Sequence, residues 1–316
     1  GDIVQGVIKA CARFQGSFAL VVMTADKLIA VRDPFGIRPL VLGKSLDDTV
    51  VASETCAIDS IGGTVERDVK PGEVVVIDAE GEHSYFLPKE KKTASCIFEY
   101  VYFARPDSII DGCSVYESRK EAGRILAKYC PVDADIVSGV PDSAVVAARG
   151  YSEVSGIPYV EALAKNRYVG RTFIQPDQNM RENSVSVKMN ALRSNIRGKR
   201  LIIVDDSIVR GTTSRKIVRM LRDAGAKEVH MMICSPVVKH PCHLGIDMQT
   251  HSQLAGATRS VEEICAYIGA DSLHYLTVEQ LKETCKGAKL QFCTGCFDGN
   301  YPYPMDDYQA DKHKFE

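Results

Sequence analysis

An apolar run followed by two acids and a hydroxyl-rich loop is the part of this sequence best suited to chemistry. Residues 201–204 (Leu-Ile-Ile-Val) form a continuous apolar stretch, which is typical of a buried parallel strand. Asp205 and Asp206 follow at once, and residues 207–213 then carry serine, arginine, glycine and two threonines. Residues 214–224 have the pattern of an amphipathic helix, closed by Gly225. The order strand, acids, loop, helix predicts a ligand site at the carboxyl end of a strand.

A loop of this kind, at the start of a helix, favours an anion. The first turn of a helix offers unpaired N–H groups and the positive end of the helix dipole, and a glycine lets the backbone approach a phosphate closely. Two carboxylates beside a phosphate are explained if the ligand is a sugar phosphate, because acids accept hydrogen bonds from ribose hydroxyls or hold Mg²⁺. The predicted ligands are Asp205, Asp206, Ser207, Arg210, Gly211, Thr212, Thr213 and Ser214.

Residue types alone leave a second interpretation open, in which the acids only cap a helix. The loop is neither a Gly-Lys-Ser/Thr nucleotide loop nor a dinucleotide fingerprint, because the required glycines and lysine are absent.

The elements around this loop divide the chain into regions of different pattern. Up to about residue 85, short apolar runs and turn signals predict an antiparallel sheet with one short helix near 54–60. The charged segment 88–94 then predicts a boundary, after which strands alternate with helices and indicate a parallel sheet. A short helix from Thr277 precedes a polar tail. We therefore expect three parts, at 1–92, 93–276 and 277–316.

Composition narrows the classes of partner. The chain has 316 residues and a formal net charge of -2, so no overall field favours nucleic acid. No apolar stretch is long enough for a membrane span, and no signal peptide is evident, so we expect a cytoplasmic protein without membrane or nucleic-acid partners. Eleven scattered cysteines, an odd number, are typical of a reducing compartment with thiolate ligands rather than a secreted disulfide framework.

The string 204–214 resembles the phosphoribosyl pyrophosphate (PRPP) signature of the type I phosphoribosyltransferases. The resemblance implies that Asp205 and Asp206 contact the ribose hydroxyls and that the loop holds the 5′-phosphate. Residues 140–143 resemble the family's pyrophosphate loop, with Ser143 near the metal, so the implied Mg²⁺ ligands are Ser143, Asp205 and Asp206. The basic segment 165–172 resembles the loop that closes over PRPP, which makes the lid candidates Lys165, Arg167, Tyr168 and Arg171. The alternative for this segment is a solvated run of charge.

Longer motifs narrow the resemblance to the glutamine PRPP amidotransferases. Residues 99–108 (Glu-Tyr-Val-Tyr-Phe-Ala-Arg-Pro-Asp-Ser) and 168–175 are similar to that family, and the resemblance runs from about Arg13 to Pro304. Residues 32–40 and 52–54 resemble the second half of a class II glutaminase domain. The implied fold class is α/β: a type I phosphoribosyltransferase parallel sheet flanked by helices, preceded by the C-terminal part of an Ntn-type αββα glutaminase domain.

The resemblance also implies an activity and partners. The activity is the formation of 5-phosphoribosylamine and pyrophosphate from PRPP and ammonia, with ammonia drawn from glutamine in the intact family, as the first committed step of purine synthesis. Purine nucleotides are the implied feedback inhibitors, and we expect a homo-oligomer, either a dimer or a tetramer.

The sequence departs from the family at its start. The family's glutaminase half uses an N-terminal cysteine as nucleophile, whereas this sequence begins with Gly1 and its first cysteine, Cys11, falls in a predicted helix. We do not transfer the nucleophile to Cys11, so the glutaminase catalytic residues stay unknown and we expect no glutamine hydrolysis by this chain. An incomplete domain is also expected to expose a sheet edge and apolar surface.

The pair Cys293-Thr-Gly-Cys296 has redox, zinc-binding and accidental interpretations. The resemblance to the iron–sulfur branch of the family implies a [4Fe–4S] cluster held by Cys96, Cys242, Cys293 and Cys296. Zinc in the same site is the alternative. The other seven cysteines are expected in the core.

Three rival functions remain. A purine-base salvage phosphoribosyltransferase would need a base-binding hood, and a PRPP-binding regulator of transcription would need a DNA-binding domain. The third is an inactive fragment.

Overall fold

The structure is a computed structural model that describes residues 2–88, 92–166, 189–246 and 250–303. Contacts divide these residues into two compact units. Unit 1 takes the described residues within Gly1–Ile97, Cys242–Asp247 and Ala288–Glu316, and unit 2 takes those within Phe98–Pro241 and Met248–Gly287. The segment from Ala288 therefore groups with the N-terminal residues, which differs from the three consecutive parts expected from the sequence.

Unit 1 contains two antiparallel sheets, where one was expected. The first has the strand order β1-β2-β6-β7 and the second has the order β4-β3-β5. Two helices belong to this region, α1 and α2, in agreement with the predicted short helix near 54–60 and with the placement of Cys11 in a helix. The bounds are α1 Ile3–Cys11, β1 Ala19–Met23, β2 Leu28–Arg32, β3 Val41–Ser45, β4 Asp48–Ala52, α2 Thr55–Ser60, β5 Thr64–Asp68, β6 Glu73–Asp78 and β7 Gly81–Phe86.

The apolar pattern of the central strands explains this architecture. Ile29 and Val31 of β2 pack into a cluster that includes Val4 and Cys11 of α1, while Ala30 packs into a separate cluster on the other face of the strand. Because successive side chains of a strand point to opposite faces, a strand that is apolar at every position is buried on both sides. Asp2 begins α1 by accepting a hydrogen bond from the Val4 amide at 3.0 Å.

A buried arginine and a buried aspartate shape the turn after β2. The Arg32 guanidinium donates to the carbonyls of Arg38 at 2.8 Å, Val69 at 2.8 Å and Gly36 at 3.0 Å. The Asp33 carboxylate accepts from the amide of Ile37 at 3.1 Å. Both side chains are fully buried. The Asp-Pro-Phe-Gly-Ile-Arg-Pro motif is therefore a hydrogen-bonded turn whose polar residues shape the fold.

Replacing Arg32 with methionine is expected to destabilise unit 1 by about 3 kcal/mol, because buried carbonyl acceptors would lose their donor. Arg13→Met, at an exposed arginine, is the matched control and should change stability by less than about 0.5 kcal/mol. Urea unfolding followed by far-UV circular dichroism measures the difference. Equal midpoints for the two variants would contradict the structural role assigned to Arg32.

Unit 2 is built on a four-stranded parallel sheet, which confirms the expected fold class. The strand order is β11-β14-β15-β16. The strands are β11 Ile136–Gly139, β14 Arg200–Asp205, β15 Glu228–Ile233 and β16 Ser272–Tyr275. Two short strands, β12 Leu163–Lys165 and β13 Met189–Ala191, form a separate antiparallel pair.

Helices flank the parallel sheet. They are α3 Val115–Tyr129, α4 Val145–Ser155, α5 Arg193–Ile196, α6 Thr212–Asp223, α7 Ala255–Thr258, α8 Val261–Ile268 and α9 Val278–Thr284. A π-helix, Glu99–Phe103, precedes α3, and a 3₁₀ turn, His251–Gln253, precedes α7. Helices α3 and α4 cross closely because Gly123 and Gly150 lack side chains: a Cβ on Gly123 would stand 1.7 Å from the Ala147 carbonyl oxygen. This close crossing sets the position of both helices beside the sheet.

Short elements complete the described chain. They are β8 Ser95–Cys96, β9 Ile109–Ile110, β10 Cys113–Ser114, β17 Phe292–Cys293 and α10 Gly295–Asp298. None of the helices in the described ranges combines the length and apolar character needed to cross a bilayer.

Candidate active site and cysteine cluster

The two acids of the predicted site lie at the carboxyl end of the central strand β14. Asp205 is the last residue of the strand and is buried, and its carboxylate accepts a hydrogen bond from the Asp206 amide at 2.9 Å. The Asp206 carboxylate accepts from the Ser207 hydroxyl at 2.7 Å. Each carboxylate therefore has hydrogen-bond donors of its own, although the two negative charges are neighbours.

Burial makes both acids reluctant to ionise. Removal from water, together with the charge of Asp206, raises the pKa of Asp205 well above its ordinary value. Burial also raises the pKa of Asp206, although hydrogen bonds from Ser143 and Ser207 oppose the rise. A cation or hydroxyl donor would relieve this cost, so the acids are suited to a ligand that brings positive charge or hydroxyl groups.

The tertiary structure brings a second segment to these acids. The Ser143 hydroxyl donates to the carboxylate of Asp206, which lies 63 positions further along the chain. The loop that carries Ser143 follows β11, and the Val140 amide binds the carbonyl of Val204 in β14 at 2.9 Å. Because β11 and β14 are parallel neighbours, their carboxyl ends meet at one edge of the sheet. All three side chains predicted to hold Mg²⁺ therefore lie together.

The phosphate loop leads directly into α6. Gly211 is the residue before the helix, with φ of 80°, a left-handed conformation that favours glycine. No side chain of the described residues caps this helix, and Thr212 and Thr213 of its first turn are exposed. Backbone amides and hydroxyls are thus available to an anion at the start of a 12-residue helix.

The remaining predicted ligands differ in exposure. Arg210 is exposed, whereas Ser214 is buried at 2% exposure within the first turn of α6. Lys165, the first lid candidate, ends β12 and forms an ion pair with Asp142 of the loop that carries Ser143. The other lid candidates, Arg167, Tyr168 and Arg171, lie outside the described residues.

A buried arginine near Asp206 was missed by the sequence analysis. Arg119 of α3 is 6% exposed and donates to the carbonyls of Tyr100 and Ala104, at 2.8 Å each. Its charge also acts to lower the pKa of Asp206. Its position in the sequence could have revealed it. Arg119 is a charged residue on an otherwise apolar stripe of α3, whose buried face also carries Val115, Ala122 and Leu126. Arg119 therefore joins the π-helix to the acidic end of the sheet.

Asp206 also lines a small cavity in unit 2. It encloses about 10 Å³, room for about one water molecule. Its walls include Tyr100, Arg119, Ser143 and Thr284.

The four cysteines of the predicted cluster all belong to unit 1, and three of them pack against one apolar core. Cys96, Cys242 and Cys293 pack against the buried residues Phe35, Ile37, Ala94 and Leu244. Strands β8 and β17 pair in parallel so that Cys96 and Cys293 are direct partners, and the Leu244 amide donates to the Cys242 sulfur at 3.4 Å. Residues distant in the sequence therefore converge here.

The pKa of the fourth cysteine, Cys296, depends on the other three. Burial raises the pKa of Cys296, and the charges of Cys96, Cys293 and Cys242 add to that rise. Burial likewise raises the pKa of Cys293 to about 11. Four thiolates would repel one another in this apolar environment, and a cationic centre would offset that repulsion. In the described parts of the chain, however, no three histidine, cysteine or acidic side chains are close enough to hold a single metal ion.

Cys11 has the surroundings of a packing residue. That residue ends α1 and is buried in the core of unit 1, and burial raises the pKa of its thiol. A buried, protonated thiol is a packing residue rather than a nucleophile, in agreement with the expectation from the sequence.

Comparisons with known proteins place these features in a family. The phosphoribosyl transferase domain model matches residues 118–239, and the glutamine amidotransferase domain model matches residues 3–60. The amidophosphoribosyltransferase of Archaeoglobus fulgidus is 51% identical over 96% of this chain, which spans 66% of that relative. The amidophosphoribosyltransferase of Synechococcus elongatus is 54% identical over 97% of the chain, which spans 63% of that relative. The chain thus spans about two thirds or less of these curated relatives.

A solved structure agrees over the same region. The glutamine PRPP amidotransferase of Bacillus subtilis, complexed with ADP and GMP, superposes with a TM-score of 0.89 at 46% identity. The match covers 98% of this chain and 69% of that structure.

Proposed function

The chain belongs to the glutamine PRPP amidotransferase family, and on that premise we propose that its unit 2 binds PRPP and joins ammonia to it. The products are 5-phosphoribosylamine and pyrophosphate, as the committing step of purine synthesis. The observation that carries the proposal is the meeting of Ser143 with Asp206 at the carboxyl ends of two neighbouring parallel strands. It joins a candidate pyrophosphate loop to a candidate ribose and phosphate site.

The reaction replaces one bond at C1 of the ribose with another. Ammonia attacks C1 and forms a C–N bond while the bond from C1 to the pyrophosphate oxygen breaks, and the attacking nitrogen then releases one proton. Asp205 and Asp206 orient the ribose hydroxyls, and the amides and hydroxyls of Gly211, Thr212 and Thr213 hold the 5′-phosphate. Such fixed groups reduce the entropy lost in bringing the reactants together.

The leaving pyrophosphate has its own partners in this proposal. Ser143 lies in the loop after β11, and Lys165 of β12 forms an ion pair with Asp142 of that loop. Mg²⁺, held by Ser143, Asp205 and Asp206, supplies charge neutralisation for the phosphates when bound. The oxygen donors fit a hard cation, and their raised pKa values fit a site that gains a positive charge. We assign Arg167, Tyr168 and Arg171 to a lid that excludes water.

A [4Fe–4S] cluster held by Cys96, Cys242, Cys293 and Cys296 is part of the same proposal. The packing of Cys96, Cys242 and Cys293 around one apolar core supports it, as does the effect of their charges on the pKa of Cys296. Zinc in the same site is the alternative. The cluster would fasten β17 and α10 to β8, a structural role without part in the reaction.

Further parts of the proposal concern the intact protein. We infer that glutamine is the ammonia source there, that purine nucleotides inhibit, and that the protein is a cytoplasmic homo-oligomer, a dimer or a tetramer. The ADP and GMP bound to the Bacillus subtilis relative support nucleotide binding.

The test is release of pyrophosphate by anaerobically purified protein supplied with Mg²⁺ and PRPP. We expect release with ammonium chloride and none without a nitrogen donor, and glutamine is run in parallel. Release that instead requires added purine base would support the salvage phosphoribosyltransferase. Tight PRPP binding without release under any condition would support a regulatory binder, and the absence of binding would support an inactive fragment.

A further inference from the structure

The phosphate loop is held from behind by a segment that does not belong to it. The Ala255 amide, at the start of α7, donates to the carbonyl of Val209 at 2.8 Å. Two residues further along the loop, Gly211 is buried against the ring of Tyr267 in α8. A Cβ built on Gly211 would lie 3.3 Å from Cε1 and 3.4 Å from Cδ1 of that ring. The helix pair α7–α8 therefore touches the loop at two points.

Two arginine side chains lie over the ring of Tyr267. The Arg215 guanidinium, one turn into α6, lies 5.1 Å from the ring centroid, and that of Arg259 lies 4.7 Å from it. Guanidinium groups favour the faces of aromatic rings because the ring quadrupole is negative there. Arg215 follows the phosphate loop, and Arg259 precedes α8, so the stack ties the first turn of α6 to α8. Tyr267 is thus oriented by its neighbours and lies against Gly211.

We propose that Tyr267 is a positioning residue that holds Gly211 and the first turn of α6 in the geometry that binds phosphate. The inference rests on the proposed PRPP site. Gly211 has a left-handed backbone, and a glycine in the unfolded chain samples many other conformations. The neighbouring ring restricts Gly211 and so keeps the helix amides aimed at one point. Because Tyr267 lies behind the loop, it acts on the ligand only through the backbone.

Two variants separate positioning from general stability. Tyr267→Ala removes the ring and releases both arginines, while Tyr267→Phe keeps the ring faces and loses only the hydroxyl. We expect the alanine variant to raise KM for PRPP about tenfold with kcat changed by less than about twofold, the pattern of lost binding. We expect the phenylalanine variant to match wild type. If the alanine variant fails to fold, Tyr267→Leu fills the space without the quadrupole and should raise KM in the same direction.

Hydrogen exchange of the unliganded protein tests the inference independently of catalysis. In Tyr267→Ala, amides of residues 207–213 should exchange about tenfold faster, while those of β14 keep their wild-type protection. Unchanged exchange in the loop together with unchanged KM would overturn the proposal. Uniformly faster exchange in both segments would also overturn it, because it would indicate a general loss of stability. If Tyr267→Ala shows the expected faster exchange in the loop but the wild-type protein does not use PRPP, the proposed function fails while the positioning role stands.

Discussion

Replacing both Asp205 and Asp206 with asparagine is expected to lower PRPP-dependent pyrophosphate release by about 1,000-fold. Asp205 is buried at the end of β14 and the half-buried Asp206 follows it, so the two carboxylates offer adjacent acceptors to ribose hydroxyls and a divalent cation. Asparagine keeps the shape and one oxygen acceptor, so the Asp206 amide and Ser143 retain a partner, but the negative charge is lost. The fold should therefore persist while the chemistry fails.

Activity with ammonia at saturating Mg²⁺ measures this effect. Asp223→Asn is the matched control. Asp223 is an exposed acid at the far end of α6, and its carboxylate forms an ion pair with Arg219 of the same helix. The control should retain wild-type activity. Comparable activity in the double variant and the control would contradict the assignment of the acids to the PRPP site.

The single substitution Asp205→Asn should stabilise the unliganded protein at neutral pH. Burial raises the pKa of Asp205 in the folded protein above its value in the unfolded chain, about 3.9. The folded state therefore binds the proton more tightly, and its stability falls as the pH rises through the raised pKa. Asp205→Asn removes this penalty, so its thermal midpoint should exceed that of wild type at pH 7 to 8 without Mg²⁺. The advantage should vanish below about pH 4, where both states are protonated. A constant difference across that range would show that ionisation of Asp205 is not its cause.

Replacing Cys296 with serine is expected to remove the bound iron and to lower the thermal midpoint by about 10 °C. Burial and the charges of Cys96, Cys293 and Cys242 raise the pKa of Cys296, and the cluster would add a link to the short pairing of β8 with β17. Losing one ligand leaves three thiolates in an apolar core without a complete partner. Cys130→Ser is the matched control, because Cys130 is a half-buried cysteine of unit 2 remote from these four in sequence and unit.

We would test this prediction on anaerobically purified protein. The measurements are iron, zinc and inorganic sulfide per chain, together with visible absorbance. Wild type and Cys130→Ser should contain the same amount of iron as each other and the same amount of sulfide. Cys296→Ser should contain neither. If wild type instead contains one zinc per chain and Cys296→Ser contains none, the four cysteines bind zinc and not a cluster. The same metal content in all three proteins would exclude Cys296 as a ligand.

Local segments of this fold were predictable because their patterns depend on neighbours in sequence. The predicted strand at 201–204 and the predicted helix at 214–224 correspond to β14 and α6. Elements outside such patterns were missed. The sequence analysis did not identify α3 or β16, and it expected one antiparallel sheet where two exist. Helix α3 carries Ser118 and Arg119 among its buried residues, so its apolar stripe is interrupted.

The order of strand, acids, loop and helix at 201–224 could be predicted, because each step there follows from residue type and spacing within one short segment. Through resemblance, the four cysteines and the loop of Ser143 became candidates. Which of these groups meet was visible only in the folded chain. Parallel pairing of β11 with β14 brings Ser143 to Asp206, and pairing of β8 with β17 brings Cys96 to Cys293. The contacts of Arg119 and Tyr267 likewise join residues far apart in the chain. Such contacts depend on packing between distant segments, and local residue pattern carries no information about which distant partner each segment finds.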